Sequence, residues 1–218
     1  MNKERAYILE IEFPLAFFKI PYTVKTRKTF LIPRKKAIFS IFNAFFKEPI
    51  SFWKIKKRNK SKEEENILKN FLVGSELLTF EKTIEIQRII QIKSKGFERP
   101  PSNTELIVNS KYIFYLVPKE VNLEIDPNPI NYYPFAGQND YLAYSWKLES
   151  KEGTIEEKNE INIPNYQLVP SDLIDIYNSR ADIIVENALE RFIVAKGILK
   201  FKEEVKVLKI NSKEIILL

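Results

Sequence analysis

Basic and aromatic side chains alternate between residues 17 and 36: Phe17, Phe18, Lys19, Tyr22, Lys25, Arg27, Lys28, Phe30, Arg34, Lys35 and Lys36. Cations can pair with phosphates while unpaired bases stack on aromatic rings, so this interleaving suits single-stranded RNA. The phenylalanines Phe17, Phe18 and Phe30 are more readily core residues beneath a loop. Tyr22, beside Pro21 and polar neighbours, is the better stacking candidate.

The chemistry the sequence lacks is equally informative. There is no histidine and no cysteine. Disulfides, zinc ribbons, thiol nucleophiles and histidine-based nuclease schemes are therefore excluded. Glu63, Glu64 and Glu65 point in different directions on a helix. Asp172 and Asp175 have the spacing of a cap and a solvated face rather than a metal site. No phosphate-binding glycine loop is present, and the chain has only 5 glycines. The expectation is a non-catalytic protein without cofactor or metal.

Charge is distributed unevenly. Residues 1–62 carry 16 Lys and Arg against 4 Asp and Glu, a net +12, and the remainder carries 19 against 25, a net −6. A segment that basic calls for a polyanion or for spreading over a surface. The start has no signal-peptide pattern and no uninterrupted apolar run long enough to span a bilayer, so a cytoplasmic, membrane-free protein is expected.

Several elements must position these groups. Residues 7–13 alternate as a strand that Pro14 ends, and 15–32 read as an extended loop. Residues 33–49 have apolar residues at helical spacing, with Lys35 and Lys36 in a first turn whose dipole favours anions. Residues 53–62 are a dense basic run, with RNA, target DNA or water as its possible facing. Residues 63–71 read as a short helix that Gly74 breaks. Residues 83–93 form a strand containing Arg88, and the following loop tip carries Lys93, Lys95 and Arg99. Residues 105–117 return as a strand with a kink or bulge at Asn109–Ser110. Residues 126–144 read as an ordered irregular loop. A mainly helical pattern covers 171–192, though its interior could contain a strand, and two β runs split at Asn211–Ser212 cover 198–217. This order points to an α+β fold with a ferredoxin-like (βαββαβ, RRM-like) core.

The succession of motifs resembles a CRISPR-associated RAMP family, the subunit that holds the 5′ handle of the guide RNA in type I Cascade complexes (the Cas-five family). That family opens with a strand and A-x-F-R-x-P-x-T, here Ala16-Phe17-Phe18-Lys19-Ile20-Pro21-Tyr22-Thr23. Its T-Y-x-x-P-P is similar to Thr29-Phe30-Leu31-Ile32-Pro33, and its helix A-x-x-G-L-L-x-A to 37–44. Its T-x-x-E-x-L-V-x-P-x-Y-x-x-Y resembles 101–112 with Tyr115, and its Y-P-x-x-L-G resembles 133–137. Ser40 stands at the family's helix glycine and Lys19 at its arginine. The matches span 7–145.

The resemblance implies a RAMP domain over 1–145 with a β-hairpin thumb near 93–103. Residues 146–218 would complete the fold or form a small β-rich appendage. It implies a non-catalytic guide-RNA binder that contacts Cas-seven-like backbone and large subunits, with target DNA within reach in the complex. Lys19, Tyr22, Lys25, Arg27, Lys28, Arg34, Lys35, Lys36, Arg88, Lys93, Lys95 and Arg99 are the expected RNA-binding residues. A metal-independent endoribonuclease and a basic protein-interaction module are the alternatives.

Overall fold

The computed structural model describes residues 3–21, 26–50, 60–87, 102–119, 121, 123–137, 141–186 and 191–218. Its main feature is an antiparallel sheet. Strand β1 (Lys3–Ala16) pairs with β6 (Ser102–Pro118), which pairs with β5 (Phe71–Gln87). On its other edge β1 pairs with β7 (Ser145–Pro170), from Lys3↔Thr154 to Glu12↔Ser145. Alternation sorts β1 by face. Tyr7, Leu9, Ile11 and Phe13 join the core under the helices, and Ala6 and Ile8 join a second core on the opposite face.

Helix α1 (Lys35–Asn43) covers the first face, burying Ile38, Phe39, Ile41 and Phe42. Each contributes about 1.5–3 kcal/mol by leaving water. The helix is shorter than the 33–49 pattern suggests. Its last carbonyls find partners outside it: Asn131 Nδ2 donates to the Asn43 carbonyl at 3.0 Å, and the Ile130 and Asn131 amides donate to Ala44. With those groups satisfied the chain leaves the helix, and Phe46 bridges to Ile125. Helix α2 (Lys60–Lys69) follows the expected position.

Gly74 does not break an element but lies inside β5. A Cβ there would sit 2.4 Å from Ile215 Cγ2, so glycine permits two β layers to approach closely. Asn109 has φ 49° opposite a register shift in β5, which is the expected bulge.

The mainly helical expectation for 171–192 is corrected, and its alternative, a strand in the interior, is what the described residues show. The region forms a turn followed by strand β8 (Arg180–Ile184), antiparallel to β9 (Phe192–Ile210). The β-branched pair Ile183–Ile184 suits a strand, and β9 supplies the backbone partners that a sequence pattern cannot show. Strand β7, 26 residues long, is not signalled by the sequence pattern either. Its charged residues lie between Lys147 and Glu160, in the part that is mostly not buried, while Gln167, Leu168 and Val169 near its end are all buried. At the chain's end β9 turns at Asn211 (φ 48°) and Ser212 (φ 66°) into β10 (Lys213–Ile216). Two successive positive φ values are those of a type I′ hairpin.

The strand β1, a helical crossover and the β5–β6 hairpin with β6 beside β1 follow the order of the first half of a βαββαβ plan. The second crossover helix of that plan is not found among the described residues. Residues 123–137 and 141–144 run there as irregular chain held by hydrogen bonds such as Ala136 N–H to the Tyr141 carbonyl at 2.8 Å. Among the described residues the architecture is mostly antiparallel β-sheet with two helices. Among the described residues no helix is long and apolar enough to cross a membrane.

Candidate nucleic-acid interface

The basic–aromatic segment is ordered by two small pairings. Strand β2 (Phe18–Lys19) pairs with β4 (Thr29–Phe30), and Thr29 Oγ1 accepts the Phe18 N–H at 2.9 Å. The Ile20 N–H donates to the Lys28 carbonyl at 2.8 Å. This pairing sends Phe18 and Phe30 inward and leaves Lys19 and Lys28 exposed. Phe17, Phe18 and Phe30 are buried core residues, so the rings with the strongest apolar character are closed to bases.

Strand β3 (Thr26–Arg27) runs parallel to the start of β6, with Arg27 opposite Thr104. The Arg27 guanidinium lies 4.7 Å over the Phe17 ring. Lys19, Arg27 and Lys28, close together along these short pairings, make a small basic palm, and β3 sets it beside Asn103–Thr104 near the outer end of the described β5–β6 hairpin. That hairpin continues outward from Glu81–Val108 to Gln87–Ser102, with Ile84 and Ile86 exposed. Arg88, Lys93, Lys95 and Arg99 follow in sequence at its end. They lie outside the described residues, as do Tyr22, Lys25 and the basic residues of 53–59.

The three cations at the start of α1 are engaged within the fold. Lys35 Nζ donates to the Leu218 carbonyl at 2.8 Å. Burial, with Lys119 adding repulsion, brings its pKa down to about 8. Lys36 pairs with Glu64 at 2.7 Å, joining α1 to α2. Arg34 lies 3.8 Å over the Phe30 ring and 5.7 Å from Phe192, with Glu186 at 3.9 Å. Sequence spacing could not show the polar partners Glu64 and Leu218, which are 28 and 183 residues distant, or Glu186 beyond β8.

A separate polar cluster lies between the β layers. Glu76, 1% exposed, accepts from Tyr115 Oη at 2.6 Å, Asn165 Nδ2 at 2.8 Å and Lys213 Nζ at 3.2 Å. Burial and the Glu76 charge push the Tyr115 hydroxyl pKa up. The cluster ties β5, β6, β7 and β10 together. A glutamate inside an apolar strand segment was its only sequence signal. A cleft of about 190 Å³ opens nearby, between Ile8, Glu10, Ile113 and Tyr115 on the sheet and Ile210, Asn211 and Lys213 on the β9–β10 hairpin.

Among the described residues, a largely antiparallel sheet with two helices, exposed cations on its short accessory strands and a long antiparallel hairpin defines the class of the molecule as a β-rich protein. Neither a family model nor a curated protein matches the chain. Solved structures do. A CRISPR protein from Archaeoglobus fulgidus is similar at 13% identity and TM-score 0.49, over 97% of this chain and 98% of that one. A chain of a CRISPR RNA-guided surveillance complex is similar at 7% identity and TM-score 0.45, over 90% of each. A chain of the type III-B Cmr-β complex bound to cognate target RNA and AMPPnP is similar at 12% identity and TM-score 0.42, over 89% and 86%. These similar structures are all CRISPR proteins; identities this low assign no activity.

Proposed function

We propose that this chain is a CRISPR-associated RAMP-type subunit that holds the 5′ handle of a guide RNA in a type I Cascade complex, without cleaving it. The observation that carries this reading is the palm of Lys19, Arg27 and Lys28 beside the outer part of the β5–β6 hairpin, where β3 meets Asn103–Thr104. Lys19 and Lys28 are exposed while the neighbouring Phe18 and Phe30 face inward, so cations that meet phosphate there need not disturb the core. The motif resemblance between 7 and 145 supports the same assignment. In such a complex the chain contacts Cas-seven-like backbone and large subunits.

Equilibrium binding to handle-bearing RNA tests it. Affinity should fall steeply with salt, and the double substitution Lys19→Glu, Lys28→Glu should weaken binding roughly tenfold or more. The log–log salt slope should become shallower by about 0.7 for each phosphate that is no longer neutralised. Equal binding to heparin and to handle RNA would instead indicate a basic protein-interaction module. Specific cleavage of repeat RNA at enzyme excess would indicate a ribonuclease.

A further inference from the structure

Beside the basic palm, two donors suited to an oxyanion hold a carboxylate of the chain itself. The Leu31 N–H donates to Glu186 Oε1 in a short hydrogen bond. Glu186 Oε2 lies 3.9 Å from Arg34 Nη2 and makes no hydrogen bond, although the side chain is only 2% exposed. The Arg34 guanidinium lies over the Phe30 ring at 3.8 Å, and its Nη2 stays 3.9 Å from Glu186 rather than forking onto the carboxylate. Glu186 is thus buried with half of its acceptor capacity unmet, a costly arrangement.

The surroundings sharpen the point. Burial pushes the Glu186 pKa up to about 7, against the opposing influence of the Leu31 N–H, Arg34 and Lys82, and Glu105 adds repulsion. Tyr112 faces the same place from β6, but its hydroxyl donates to the Leu31 carbonyl at 2.8 Å. A phosphate carries more charge and more oxygens than a carboxylate, so it could bond the amide and engage the guanidinium together. Glu186 also follows directly on β8, which pairs only with β9 among the described residues. It can swing out without opening the main sheet.

We propose that the Leu31 amide and the Arg34 guanidinium form an oxyanion site that Glu186 occupies in the free protein and that a nucleic-acid phosphate takes over on binding. The proposal rests on the nucleic-acid reading above for its natural ligand. Leu31 follows Phe30 of β4, so the site continues the palm that carries Lys19 and Lys28. Glu186 acts as an intramolecular competitor: binding must displace it, and the displaced carboxyl releases a proton.

Sulfate, whose charge is constant from pH 5 to 8, probes the site without RNA. In the full-length Glu186→Ala protein, sulfate should shift the Leu31 amide resonance saturably, and adding Arg34→Gln should abolish the shift. The wild type should bind sulfate there roughly fivefold or more weakly, and Glu186→Ala should bind handle RNA more tightly by a similar factor. In the wild type, sulfate affinity should rise between pH 5 and pH 8 as the displaced carboxyl ionises. That arm holds even where Glu186→Ala does not fold. No sulfate-dependent shift at Leu31, or an affinity flat with pH, overturns the site whatever RNA does. A sulfate site at Leu31 in a protein that binds no RNA overturns the nucleic-acid reading and leaves the oxyanion site standing.

Discussion

A carboxylate with a raised pKa makes stability depend on pH in a defined direction. Glu186 rises from its ordinary value of 4.5 to about 7 because it is buried. The folded state therefore binds more protons than the unfolded state across that interval. Its stabilising contribution is complete below about pH 4.5 and is lost as pH rises through 7. Urea midpoints of the wild type should accordingly contain a fall between pH 5 and 7.5 that Glu186→Gln lacks. Equal slopes for the two proteins would show that Glu186 titrates normally. The residue scale is also where the sequence was least complete. Inward phenylalanines were legible, because Phe17, Phe18 and Phe30 are large, apolar and set among alternating polar residues. The engagement of Arg34, Lys35 and Lys36 was not. Their partners Glu186, Leu218 and Glu64 come from just beyond β8, from the end of the chain past β10 and from a second helix, and a cation reads the same in sequence whether it meets solvent, phosphate or carboxylate.

Elements divide by whether their cause is local. The β9–β10 hairpin was legible at Asn211–Ser212 because a two-residue turn needs residues that tolerate positive φ. The Asn109 bulge was legible for a related reason. By contrast, 171–192 shows helical spacing, yet β9 recruits its β-branched residues into a strand. Gly74 resembles a helix breaker but serves the contact between β5 and β10. These close approaches can be tested in pairs. At Gly137 a Cβ would sit 1.8 Å from the Phe17 carbonyl oxygen and φ is +81°. Gly74→Ala meets a side-chain methyl at 2.4 Å, and side chains can shift. Gly74→Ala should cost about 1–3 kcal/mol in urea unfolding, and Gly137→Ala should cost more, since backbone must move and a left-handed residue is strained. The reverse order would mean that the 123–144 region yields more easily than the β layers.

Whole-molecule organisation follows from how the sheet closes. Strand β5 pairs with β6, β6 with β1, β1 with β7, β7 with β9, and β9 with β10. Beyond β10 the chain returns to β5, where the Leu218 N–H donates to the Val73 carbonyl at 2.9 Å. The ring encloses Ala6, Ile8, Leu72, Tyr115, Val117, Leu208, Ile210, Ile215 and Leu217. Neither half of the chain completes this core alone, because 1–145 supplies β1, β5 and β6 while the remainder supplies β7, β9 and β10. The buried Glu76 cluster crosses the same boundary. Sequence motifs between 7 and 145 left open whether 146–218 completes the fold or forms an appendage, since a 26-residue strand, charged over its first part, gives little sign of what it pairs with. A ring with a shared core should unfold as one unit. With Trp53→Phe leaving Trp146 as sole tryptophan reporter, fluorescence follows the helix-covered face, against which Trp146 packs. Far-UV circular dichroism follows all strands. The two urea transitions should coincide. A circular dichroism transition that separates from the Trp146 transition would show that β8 to β10 come apart as a unit of their own, and that the contacts across the ring are too weak to bind the two layers into one cooperative fold.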